Sequence, residues 1–244
     1  MVEGRGPVRC LIEGSRFRPH SLFVTPPVLA ALSGVVESLG PEVPVYVASQ
    51  GTLDGVVGFH LHRGCLAAGV RTPAPPLAEL IRPGASSSLL VVLEGLTNHD
   101  NLGGIFRNAM AFGADAVLVC PRSCDPLYRR AIRVSLGASL RVPFARCEGW
   151  PGSLQTLRRA GYRIVALHPG ADSVEPDEPA RVLGPRVALV LGTEGEGLSA
   201  AALDAADLQL RIPMSPGVDS INVASASAIA MAHFFQRYRA AGGA

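Results

Sequence analysis

From Leu89 onward the chain alternates short apolar runs with stretches whose apolar residues recur every three or four positions. LLVVLEGL, AVLVC, RIVALHP and VALVLG have almost no polar interruption, as expected of strands buried on both faces. NLGGIFRNAMAF, DPLYRRAIRVSLG and SLQTLRRAG carry helical spacing instead, RVPFARC and LQLRIP add further strands, and a last helix is predicted from about Asn222 to Tyr238. Apolar strands separated by helices predict an α/β fold with a parallel sheet covered on both faces, whose ligands bind at the carboxyl ends of the strands.

The amino-terminal part has a different rhythm. VLAALSGVVESLG has helical spacing, PVYVAS reads as a short strand, and GFHLHRGCLAAGV as a strand pair or a strand and loop. If GFHLHRG is a strand, His60 and His62 project to one side. Between about Arg71 and Ser88, RTPAPPLAELIRPGASSS breaks the periodicity with prolines, glycine and serines. The pattern therefore predicts a small α/β unit over residues 1–72, a linker over 73–87 and a larger unit over 88–244.

Composition narrows the class. With 244 residues and 48% hydrophobic content the chain can bury a substantial core, and a net charge of +2 neither requires nor excludes nucleic acid. All 22 basic residues are arginine, a bias that weakens any argument from arginine number alone. The distribution says more: residues 121–146 hold six arginines against one aspartate. Arg122, Arg129, Arg130 and Arg133 lie on or near one predicted helix, where they could neutralise phosphates or simply form a solvated face. Tyr128 could stack on a base or pack. Cys10, Cys65, Cys120, Cys124 and Cys147 form no CxxC pair, so reduced thiols are expected and neither a zinc site nor any other metal is. The start lacks the apolar core of a signal peptide, and no apolar run reaches the roughly 18 residues of a membrane span. These features predict a cytoplasmic protein.

Three loops carry candidate chemistry. In TNHDNLGGIFRN a strand gives way to a helix whose predicted apolar face is Leu102, Ile105, Phe106, Ala109 and Met110. Helical geometry sets Arg107 beside Gly103 and Gly104, a bare patch that another chain or a ligand could approach while the guanidinium donates to an oxyanion. A surface arginine on an amphipathic helix is the plainer alternative. In VALVLGTEGEGLS the order G-x-x-G-x-G reverses the dinucleotide fingerprint, and Glu194 and Glu196 would repel a pyrophosphate. In LRIPMSPGVDSINVASASAIA, Ser220 and Asn222 precede a helix of small residues, and capping accounts for both taken alone.

Taken together and in order, the three elements resemble the SpoU (TrmH-like) RNA ribose 2′-O-methyltransferases of the SPOUT superfamily. The family's asparagine six residues before an arginine is matched by Asn101 and Arg107, with Asn108 in place of the usual threonine. Its LGxExxGLS motif is matched by Leu191 to Ser199. Its IPM, glycine loop and S-L-N-V are matched by Ile212, Pro213, Met214, Gly217, Ser220, Ile221, Asn222 and Val223, with isoleucine for the leucine.

The resemblance implies a methyltransferase domain over 88–244 with a deep trefoil knot, after a small RNA-substrate-binding domain over 1–72. HRGCLA, His62 to Ala67, matches the end of that first domain, which the opening residues enter late, with a shortened first helix. Also implied is S-adenosylmethionine as cofactor, held by Leu191, Gly192, Thr193, Glu194, Gly197, Ile212, Pro213, Met214, Ser220, Ile221 and Asn222. Backbone groups of Leu191, Ile212 and Ile221 would bond adenine, with Met214 against its ring. Arg107 is the expected stabiliser of the ribose oxyanion, with Asn101, Glu194, Ser220 and Asn222 orienting the reactants. A homodimer is implied through the knot and the last helix, which offers Ala226, Ala230 and Met231 on one stripe. The substrate is tRNA or rRNA; the alternative is a non-catalytic knotted RNA-binding or assembly factor.

Overall fold

The computed structural model of the protein describes residues 1–61, 63–82, 84–170, 173–175 and 184–240, with side chains as far as residue 236. His62 therefore lies outside the described residues. The elements begin with β1 (Val2–Glu3), α1 (Arg5–Glu13), β2 (Pro19–Val24), α2 (Pro26–Ala31), α3 (Ser33–Val36), β3 (Val45–Val47), α4 (Gln50–Val57) and β4 (Cys65–Gly69). They continue with α5 (Leu77–Leu80), β5 (Ser88–Leu93), α6 (His99–Ala111), β6 (Ala116–Val119), α7 (Arg129–Val134), α8 (Ala138–Arg141) and β7 (Phe144–Arg146). The last are α9 (Ser153–Arg159), β8 (Arg163–Leu167), β9 (Arg186–Leu191), α10 (Ala200–Asp204), β10 (Leu208–Leu210) and α11 (Val223–Ala240).

Two compact units result: Met1–Pro73 with Asp125–Arg141, and Ala74–Cys124 with Val142–Ala244. The segment 125–141, which the periodicity assigns to the larger unit, packs with the amino-terminal residues instead. Its α7 places Arg129 and Arg133 at 3.6 and 3.3 Å from the buried carboxylate of Glu3, a group that could not be buried without cationic partners. The helix expected over 125–137 stops at Val134, because Leu136 and Gly137 adopt left-handed backbone with φ of 52° and 88°.

The small unit is a four-stranded sheet, β1-β4-β2-β3, in which only β2 and β3 run parallel. The predicted helix over VLAALSGVVESLG divides into α2 and α3 around Leu32. Residues 58–61 form no strand. Gly58, at φ 77°, ends α4, and the Asp54 carboxylate then gathers the chain by accepting from Leu61 N at 2.8 Å and Gln50 Nε2 at 2.7 Å while pairing with His60 Nδ1 at 2.6 Å. These bonds hold the Asp54 pKa below its ordinary value, the Leu61 amide first among the causes and His60 next.

The large unit is a six-stranded sheet, β10-β8-β9-β5-β6-β7, parallel at every pairing. β5 is buried along its whole length and β9 from Val187 to Leu191, which is why these strands read as continuous apolar runs. The stretch predicted as a linker contains α5, and Leu77, Leu80 and Ile81 pack on the sheet's hydrophobic core. Arg82 extends the anchorage with a 2.6 Å bond to Asp115. None of the five cysteines is in a disulfide, and burial raises the thiol pKa values of Cys65 and Cys147 to about 11. Among the described residues no helix is long and apolar enough to cross a membrane.

Candidate functional site

The carboxyl ends of β10, β8 and β9, consecutive neighbours in the parallel sheet, open into three loops that surround one cavity of about 390 Å³. That volume lies within the ~300–1,000 Å³ typical of small-molecule sites. The middle loop is the most constrained. Thr193 and Gly197 bond each other's backbones at 3.1 and 3.3 Å, and Gly195 and Gly197 inside this closed turn have φ of 90° and 72°. A Cβ on Gly192 would collide with the backbone of Gly197, so only glycine fits there.

The far end of this loop is fixed from beneath. Glu94, buried after β5, accepts from Ser199 N at 3.0 Å, Ser199 Oγ at 2.7 Å and Trp150 Nε1 at 2.6 Å. Ser199 in turn caps α10 through Ala202 N. One carboxylate thus holds the loop that follows β9 to the end of the neighbouring strand, with each of its oxygens hydrogen-bonded.

Ten of the eleven residues expected around the cofactor line the cavity: Leu191, Gly192, Thr193, Glu194, Gly197, Ile212, Met214, Ser220, Ile221 and Asn222. Pro213 does not; it sits between two residues that do. Leu167, His168, Pro169, Gly195, Leu210, Arg211, Val223 and Ala226 complete the wall. The pair His168 and Pro169 directly follows β8, so the rule that ligands meet strand carboxyl ends could have found it. Arg211 is held by Glu175 at 3.0 Å.

Three of the predicted polar residues meet at the rim. Asn222 Nδ2 donates to Asn101 Oδ1 at 2.8 Å and to Glu194 Oε1 at 2.9 Å. Its Oδ1 accepts from Ala224 N and Ser225 N at 2.9 and 3.2 Å, capping α11. Capping and bridging are thus performed by opposite ends of one amide, and the cap is Asn222 rather than Ser220.

Arg107 stands apart. It is exposed on α6, does not line the cavity, and pairs with no carboxylate among the described residues. The glycine beside it serves a contact within the chain: a Cβ on Gly104 would lie 2.8 Å from Ala224 Cβ, so α6 and α11 approach closely there. Asn108, where the resemblance expects threonine, donates to Ala224 O at 2.7 Å and Ser227 Oγ at 2.9 Å and locks the same two helices. Met110, expected on the buried face, is 41% exposed, while the stripe of Ala226, Ala230 and Met231, which by spacing suits a close helix contact or an ordinary core face equally, is buried within the chain.

The four arginines of the basic stretch do not share one helix. Arg122 lies in an exposed turn after β6, and the other three are on α7. Arg130 is exposed, but Arg129 and Arg133 face Glu3. Among the described residues no group of three or more His, Cys, Asp or Glu is placed to hold a metal ion.

Comparison with known proteins agrees with this geometry. Residues 88–232 match the model of the SpoU rRNA Methylase family. An uncharacterized tRNA/rRNA methyltransferase of Mycobacterium tuberculosis is 46% identical over 226 residues, 92% of this chain and 76% of the relative. The crystal structure of an RNA 2′-O ribose methyltransferase superposes with a TM-score of 0.78 at 27% identity, covering 98% of this chain and 88% of the other. The SpoU methyltransferase AviRb from Streptomyces viridochromogenes, in complex with the cofactor AdoMet, shares the fold with a TM-score of 0.77 at 21% identity, covering 98% and 89%. The match over more than half the chain and the 46% identity place it: this protein belongs to the SpoU rRNA methylase family.

Proposed function

We propose that the protein is an S-adenosylmethionine-dependent methyltransferase acting on a ribose 2′-hydroxyl of tRNA or rRNA. The observation that carries this reading is the convergence of three strand-end loops on one cavity with the Asn101–Asn222–Glu194 cluster at its rim. The cavity suits the cofactor: Leu167, Leu191, Leu210, Ile212 and Val223 offer apolar walls for a purine, and the Glu194 carboxylate supplies a favourable field for a sulfonium cation. Backbone groups of Leu191, Ile212 and Ile221 would bond the adenine, with Met214 against its ring, while Gly192, Thr193, Gly197 and Ser220 complete the cradle. Pro213 would act only by shaping the chain between Ile212 and Met214.

When bound, S-adenosylmethionine supplies an electrophilic methyl group whose leaving group is a neutral thioether, so no acid is needed to assist departure. As the O–CH₃ bond forms and the S–CH₃ bond breaks, the hydroxyl proton passes to solvent, and the task left to the protein is to hold the ribose oxygen in line and to stabilise the negative charge that grows on it. Asn101, Asn222, Glu194 and Ser220 orient the reactants. Arg107, fully charged and exposed, engages the ribose oxygen and its adjoining phosphate when RNA docks, a bidentate role suited to its planar fork. In the same reading the carboxyl-terminal chain is threaded as a trefoil knot, one of the rare exceptions to unknotted topology. The enzyme works as a cytoplasmic homodimer whose interface includes Met110 and Ile229, exposed at 41% and 45% on α6 and α11.

Calorimetry with S-adenosylmethionine, combined with transfer of a tritiated methyl group to bulk RNA, tests the reading. Binding with transfer supports it; binding without any transfer to tRNA or rRNA favours a non-catalytic knotted RNA-binding or assembly factor.

A further inference from the structure

The cationic character of this chain is concentrated in the small unit. Met1–Pro73 with Asp125–Arg141 holds ten arginines and six acidic residues, a net of +4, whereas the large unit holds 12 and 14, a net of −2. Yet two of the four arginines expected to bind phosphates, Arg129 and Arg133, lie against the buried Glu3 carboxylate. Those two charges are engaged within the chain, so the unit must offer its partner more than ion pairs from that helix.

One face of the same unit exposes aromatic rings. Phe59 and Tyr128 are 40% and 55% exposed and share a cavity of about 530 Å³ with Arg129 and with the Arg71–Asp125 ion pair. The Arg129 guanidinium lies over the Phe59 ring, 4.5 Å from its centroid. A second cavity, of about 510 Å³, shares the walls Met1, Val57 and Leu66 and leads to Tyr46, itself 58% exposed. Large, partly exposed rings are good platforms for a nucleobase, which stacks on an aromatic or guanidinium plane while the net positive charge of the unit attracts its backbone. A fully paired helix hides its base faces, so such a platform selects unpaired nucleotides.

We propose that the small unit carries a base-stacking site for unpaired RNA, built on Phe59, Tyr128 and Arg129. The proposal rests on the reading of the protein as an RNA-modifying enzyme and adds where and how a loop or single strand is gripped. Positive charge of the unit makes RNA the favoured occupant over an apolar protein segment.

The test measures fluorescence anisotropy of the full-length protein with a short labelled oligouridylate and with a duplex RNA of equal charge. Phe59→Leu combined with Tyr128→Leu should weaken oligouridylate binding about tenfold or more and leave duplex binding and the salt dependence unchanged. Undiminished oligouridylate affinity in the double variant would overturn the proposal and leave the face to a protein partner. Failure of the unaltered protein to bind either RNA would overturn it together with the RNA-modifying reading itself. Photocrosslinking of the unaltered protein to an oligonucleotide carrying 5-iodouridine gives a check that needs no variant. Crosslinks should fall in the peptides holding Phe59 or Tyr128, and crosslinks confined to the large unit would contradict the site.

Discussion

Asn222 and Asn101, 121 residues apart in the chain, are joined by a 2.8 Å amide-to-carbonyl hydrogen bond at the rim of the cavity. The same Asn222 amide reaches Glu194, and its oxygen caps α11, so one side chain couples the start of α11 to α6 and to the loop after β9. Replacing Asn222 by Ala should cost about 1 kcal/mol of stability through the cap alone. Asn222→Ser should recover much of that stability, because serine also caps, yet remain impaired in methyl transfer because it cannot span to Asn101 and Glu194. Thermal denaturation beside a transfer assay on both variants separates the roles; full activity in the serine variant would reduce Asn222 to a cap.

Arg107 makes the sharper case. Its exposure and lack of a carboxylate partner among the described residues mean that Arg107→Ala should leave folding intact and S-adenosylmethionine affinity within a few fold. Transfer should fall by at least about 10²-fold, the scale seen when one oxyanion donor is removed. Turnover near that of the unaltered protein would take Arg107 out of the mechanism.

Much of this was legible in the sequence, and the parts that were not share a cause. Uninterrupted runs such as LLVVL and VALVL identified the parallel sheet because burial on both faces leaves no room for alternation. Motif order identified ten of the eighteen residues that line the cavity, since residues after strand ends are neighbours whatever the loops do. His168 was missed because no motif contains it, although it follows a strand. Periodicity could not reveal that 125–141 packs with the amino-terminal residues, since the deciding interaction is between Glu3 and arginines well over a hundred positions away. Nor could spacing tell that Gly104 is small for Ala224 of the same chain rather than for a ligand, or that Asp54 would gather residues 58–61 into a loop.

Glu94 is expected to govern the loop from Gly192 to Ser199. In Glu94→Gln at least one of the three donors from Trp150 and Ser199 must face an amide NH₂, a loss of about 1–3 kcal/mol for a buried group. Denaturant unfolding should register that loss, the emission of Trp150, the single tryptophan, should shift, and S-adenosylmethionine affinity should drop. Unchanged stability and emission would show that the loop does not depend on this carboxylate.

Asp54 gives a pH signature. Because its folded pKa is lowered, its contribution is complete above the unfolded value of about 4 and fades as pH falls through the folded one. Asp54→Asn should therefore lower the melting temperature at pH 7, and the gap to the unaltered protein should narrow as pH drops below about 4. A gap that persists undiminished into acid would mean that the carboxylate charge is not what orders residues 58–61.

If the cavity and its asparagine–glutamate rim direct a methyl group to a ribose oxygen, as proposed, the position of the transferred methyl group decides the matter. The protein is incubated with tritiated S-adenosylmethionine and RNA, the product is hydrolysed in alkali, and the label is located. Label is expected in alkali-resistant dinucleotides, because a methylated 2′ oxygen can no longer attack its own phosphate. Label recovered only in mononucleotides, with the methyl group on a base, would rule out transfer to the ribose.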